Sequence, residues 1–131
     1  TQMGGALAQL DAAVNAAQPA PARQASIAVA RAGLDLQLRY RPRADVDLDL
    51  LELWVRQLIM DSEANDLNAV MGDIATLRWI RERFVQDSIE PSLELVDARL
   101  GEVREAGRAR VWGATTTAAA ARLRATLATV R

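Results

Sequence analysis

The sequence predicts an all-α fold, an antiparallel bundle of about five to six helices arranged as three helical hairpins. Three observations carry this. Apolar residues recur at steps of three and four almost throughout the chain, proline-containing or polar breaks fall at hairpin-like intervals, and no sustained run of β-branched and aromatic residues interrupts them. The length of 131 residues suits one domain, taken as residues 1–131, with enough chain to bury a core.

Met3, Leu7, Leu10, Val14 and Ala17 form the stripe expected of a first helix, which Pro19 and Pro21 should end. Ile27, Ala30, Leu34 and Leu38 give a second stripe over about residues 21–39. Gln24, Arg31, Asp35 and Arg39 fall on its other side. Pro42 closes that segment. A third helix is expected to begin near Asp47 or Asp49. Asp49 and Glu52 have capping-box spacing, and Leu51, Trp54, Val55, Leu58 and Ile59 make the buried face. Residues 61–66 read as a polar turn. A fourth helix over about 66–87 should bury Leu67, Val70, Met71, Ile74, Leu77, Ile80 and Phe84, with Asn65 or Asp66 as its cap. Pro91 suits the first position of a fifth helix with Leu93, Val96, Leu100 and Val103 inside and Gly107 as its C-terminal cap. Thr115 or Thr116 is placed to cap a sixth, carrying Ala119, Ala120, Leu123, Leu127 and Val130. Residues 34–50 also alternate with period two around Pro42, the pattern of a β-hairpin. The helical reading is preferred because Leu favours helix and Asp is poor in strands. Aligning Val14, Met60 and Val103 makes the three hairpins look alike. Since only apolar positions recur, the likeness is read as that of any pair of striped helices.

Composition narrows the chemistry. The chain has no cysteine, no histidine and no lysine; its sixteen basic residues are all arginine, which is read as a mark of a GC-rich genome. Disulfides, zinc–thiolate sites and thiol nucleophiles are thereby excluded, as are imidazole bases and haem or transition-metal ligation through histidine. Half the residues are hydrophobic and the net charge is -1, which fits a globular domain and argues against nonspecific nucleic-acid binding. No run of about 18 to 20 apolar residues, the length of a membrane-crossing helix, is present. The chain opens on Thr1 rather than methionine, so an N-terminal piece is read as lost, an export signal or lipid-anchoring leader being one source.

Candidate sites are few. Asp61-Ser-Glu63-Ala-Asn65-Asp66 places oxygen ligands like a calcium loop but lacks its glycine and its closing glutamate, so a solvated turn explains it better. Carboxylates for a two-metal bundle site would need Glu-x-x-His partners, which the chain lacks. Asp35, Met60, Asp61, Met71 and Asp73 remain as the weaker metal- or ligand-binding set, Asp35 and Asp73 because each interrupts an apolar stretch. Serines and threonines have no histidine or lysine to activate them, Gly4-Gly5 is read as a flexible opening, and no phosphate-binding or nucleophile-elbow motif occurs. The arginines at 39, 41 and 43 and at 78, 81 and 83 form two basic patches, with Arg78–Glu82 and Arg83–Asp87 at local pairing distance. The expectation is a non-enzymatic interaction module without cofactor, exported or lipid-anchored outside the cytoplasm as an accessory subunit. It would dock on a protein partner or a second copy through Arg39, Arg41, Trp79 and Trp112. A small-ligand or metal-binding bundle is the alternative.

Overall fold

In a computed structural model, the structure describes residues 1–87, 92–108 and 114–129. These form six α-helices and no strand: α1 (Gln2–Asn15), α2 (Pro19–Gln37), α3 (Arg43–Glu63), α4 (Leu67–Asp87), α5 (Ser92–Arg108) and α6 (Ala114–Thr129). The predicted order and number of helices hold, and residues 34–50 are two helix ends. Pro91, Trp112, Gly113 and Val130, and the side chains of Phe84, Asp87 and Leu93, lie outside the described residues. The chain resolves into two compact units, Thr1–Val46 and Asp47–Arg131.

In the first unit α1 packs on α2. The Thr1 hydroxyl caps α1 by accepting from the Gly4 N–H at 3.0 Å, so Gly4-Gly5 belongs to a capped helix and is not a loose opening. The buried face of α1 differs from the predicted one by a small rotation. Ala6 and Ala13 are buried with Met3 and Leu10 beside them, while Leu7 and Val14 are exposed. Across from them α2 buries Ala25, Ile27, Ala32 and Leu34, and leaves Leu38 exposed. In so alanine-rich a helix the larger side chains do not mark the inside. A face of small residues lets two backbones approach closely, and Met3 Cε lies near enough to touch a methyl added at Gly33. The helix ends in a left-handed residue, Ala17 (φ 51°). The Ala17 N–H donates to the Val14 carbonyl and the Gln18 N–H to the Ala13 carbonyl, each at 3.0 Å, which is a Schellman ending. Proline at the first position of α2 then starts a helix at Pro19, two residues earlier than expected.

The second unit holds α3 from Asp47 onward with α4, α5 and α6; α4 packs on α5 and α5 on α6. Helix α3 starts at Arg43, so Asp49 and Glu52 lie inside it and do not form a capping box. Leu51, Val55 and Leu58 are buried as predicted, with Trp54 and Ile59 half-buried, and Leu53 on the opposite side of the helix is buried as well. α3 closes with the same Schellman geometry as α1, now through Asn65 (φ 55°). Its N–H donates to the Ser62 carbonyl and the Asp66 N–H to the Asp61 carbonyl. The polar turn is therefore only residues 64–66, and Asp61 and Ser62 sit in the last turn of α3, buried. Asp66 caps α4 by accepting from the Ala69 N–H at 3.1 Å. The inner stripe of α4 is Val70, Asp73, Leu77 and Ile80, with Ile74 half-buried; Leu67 and Met71, expected inside, are exposed. α5 buries Val96 and Val103, and Gly107 lies within that helix instead of capping it. α6 buries Ala119, Ala120, Leu123 and Leu127 as expected, while Thr115 and Thr116 are inside the helix rather than at its cap.

Matching the two Schellman turns aligns Ala17 with Asn65, not with Glu63 as the apolar stripes suggested. In that register Leu10 corresponds to Leu58, Ala13 to Asp61, Ala25 to Asp73 and Ala32 to Ile80, all of them buried or half-buried.

Candidate functional site

The outer side of α4 is the most distinctive surface of the second unit. Rotating the inner stripe to Val70, Asp73, Leu77 and Ile80 turns Leu67, Met71, Ala75 and Trp79 outward, each four positions from the next. Such a row forms a continuous ridge along a helix, the geometry by which helices interlock with one another. Trp79 is 58% exposed.

Its indole is held by an ionic anchor. The Arg83 guanidinium lies over the Trp79 ring, 4.5 Å from its centroid. Arg83 in turn makes a two-pronged bond to the Asp47 carboxylate, with Nε to Oδ2 at 3.0 Å and Nη2 to Oδ1. Asp47 is fully buried near the start of α3, and the Arg83 side chain is 22% exposed. The two residues are 36 positions apart and symmetric about Asn65, so their pairing closes the open end of the antiparallel α3–α4 hairpin. A buried carboxylate in this position needs the guanidinium, and the guanidinium is thereby fixed under the indole. The sequence placed Asp47 near a helix start and Arg83 at pairing distance from Asp87. The Asp47 pairing escaped it because nothing local links residues so far apart.

Four further arginines of this unit are engaged with carboxylates. Arg78 pairs with Glu82 at 3.3 Å, as its spacing predicted, with both side chains exposed. Arg81 makes a bidentate bond to Asp97 and joins α4 to α5. Glu102 on α5 accepts from Arg122 Nε on α6 at 3.0 Å and also from Arg99. The Arg122 hydrogen bond holds the Glu102 carboxyl below its ordinary carboxylate value, loss of hydration opposes this, and Arg99 adds to the lowering.

Between α4 and α5 runs an open cleft of about 230 Å³. Ile74, Leu77, Leu100 and Val103 form its apolar wall, Gly101 leaves a gap in it, and charged side chains of both helices stand at its rim.

The other sequence candidates scatter. Arg39 and Arg41 belong to the first unit; Arg39 is exposed, and Arg41 Nη1 donates to Gln37 Oε1 at 2.6 Å. Between them stands Tyr40, 86% exposed, an aromatic that the stripes gave no reason to single out. Trp112 is outside the described residues. Of the metal-binding set, Asp35 is exposed on α2, Met60 is half-buried, Met71 is exposed, and Asp61 and Asp73 are buried; Gln57 Nε2 donates to Asp61 Oδ2 at 2.8 Å. Among the described residues no three acidic side chains converge as a metal site would require. Nor is any described helix long and apolar enough to cross a membrane. No protein-family model, no curated protein and no solved structure matches this chain.

Proposed function

We propose that this chain is a non-enzymatic helical interaction module whose docking surface is the outer ridge of α4. The observation that supports the reading is the row Leu67, Met71, Ala75 and Trp79, exposed along one line and ending on an indole braced by Arg83 and Asp47. A rigid, partly solvated tryptophan loses little conformational freedom when a partner covers it, which is why such residues anchor protein interfaces. The partner is a helix of another protein or of a second copy, seated against the ridge. Arg39 and Arg41 join Tyr40 as a second, basic and aromatic contact point on the first unit. An accessory subunit, exported or lipid-anchored, remains the setting proposed for this role, and fractionation of cells that produce the protein tests it.

The docking proposal is tested with a benzophenone amino acid at position 71. Irradiating cells that produce the chain should give one discrete cross-linked band, weakened about tenfold or more by Trp79→Ser. The absence of such a band, or a band indifferent to Trp79→Ser, overturns the reading.

A further inference from the structure

The cleft between α4 and α5 runs alongside the α4 ridge and carries an inference of its own. Three features bear on it. The first is Gly101, in the middle of α5. Glycine there weakens the helix relative to alanine, and usually some contact or backbone twist justifies it. Neither does here: a Cβ added at Gly101 meets nothing within 4 Å, and its φ is not in the left-handed region. What the missing side chain does is leave the cleft open. The second is the wall, where Leu77 and Val103 are almost wholly buried and Ile74 and Leu100 half-buried, so the cleft floor is apolar. The third is the charge at the rim. Arg81 is neutralised by Asp97 and Arg78 by Glu82. Arg104 is exposed and has no hydrogen-bonding or ionic partner among the described residues.

An apolar slot with one uncompensated guanidinium at its edge has the chemistry of a site for a small amphipathic anion. The geometry points to a medium-chain monocarboxylate, its carboxylate on Arg104 and its hydrocarbon chain over Gly101 against Leu77 and Val103. Guanidinium and carboxylate match as a planar two-bond pair, and burial of the chain supplies the remaining attraction. The volume is below the roughly 300 Å³ at which drug-sized ligand sites begin, which limits the ligand to a single chain of medium length.

Calorimetric titration of the full chain with octanoate, octanol and acetate tests this. Octanoate should bind with a dissociation constant on the order of 1 mM, and octanol and acetate about tenfold more weakly, each lacking one half of the match. Arg104→Gln should reduce octanoate to the level of octanol and leave octanol unchanged. Gly101→Leu, which fills the slot and strengthens the helix, should remove binding of both while the far-ultraviolet circular dichroism stays helical. No octanoate binding by the parent chain overturns the assignment, as does binding that neither substitution changes. Neither Arg104→Gln nor Gly101→Leu alters a residue of the α4 ridge, so octanoate binding and Trp79-dependent cross-linking from position 71 fail independently.

Discussion

The α1–α2 and α3–α4 hairpins share a backbone design and differ in what holds them. Both turn through two Schellman bonds around a single left-handed residue, and both start the returning helix two residues after it. In the first hairpin that residue is Ala17, and the N-cap, Gln18, makes no side-chain capping bond. In the second it is Asn65, a residue that tolerates the left-handed region, followed by Asp66, whose carboxylate caps α4. The interiors diverge in the same direction. Small residues fill the positions around the first turn, and Asp61, Ser62 and Asp73 are buried around the second, whose open end is closed by Asp47 and Arg83. The lesson is that one backbone solution can be stabilised by close approach of small side chains or by specific polar bonds, while both hairpins leave large apolar groups facing outward.

The largest effect should come from breaking that polar closure. Arg83→Ala leaves the buried Asp47 carboxylate without its guanidinium and should cost about 3 kcal/mol in urea denaturation. Asp47→Asn should cost less, since no buried charge is stranded. If Arg83→Ala proves neutral, the contrast between the hairpins is one of sequence only.

Exchanging the turns sharpens the same contrast. Ala17→Asn with Gln18→Asp gives the first turn the chemistry of the second. It removes a left-handed alanine and adds a cap, together about 1–2 kcal/mol. The reciprocal Asn65→Ala with Asp66→Gln should lose a similar amount. Amide hydrogen exchange in α2 and α4 reads each change where it occurs, as roughly tenfold slower or faster exchange for each 1.4 kcal/mol.

The smallest expected effect lies at the α5–α6 contact. Glu102 titrates lower in the folded chain than in the unfolded one, so its contribution is present above the unfolded value of 4.5 and is lost as pH falls below it through the folded value. Glu102→Gln should therefore lower the melting temperature slightly near pH 7 and make no difference at pH 2. An equal difference at both pH values would show that the side chain acts through packing and not through charge.

Much of this architecture is legible along the chain. The six helices, their order and their breaks follow from apolar periodicity and from Pro19, Pro21 and Pro42, and Asp66 announces itself as a cap. The facing of α1 and α4 is not. Alanine serves inside or outside a helix, so the sequence alone gives no reason to prefer Ala6 and Ala13 over Leu7 and Val14. In α4, Met71 is the more apolar choice, yet Asp73 is the one in line with Val70, Leu77 and Ile80. Trp79 could be named as a candidate anchor because it sits beside its stripe. Its bracing could not, since Arg83 has an acidic residue at local spacing that competes for attention with one 36 positions away.

By itself, then, the sequence determined where the backbone could be helical and which chemistries it had no side chains to perform, because propensity, capping and composition act locally. The tertiary structure decided which side of each helix is inside, that the ridge of α4 faces outward, that Asp47 holds Arg83 beneath an indole, and that Gly101 opens a slot. Those outcomes depend on the shape and charge of residues brought together from distant parts of the chain, and close packing within each unit fixes them where hydrophobicity alone leaves several choices equivalent.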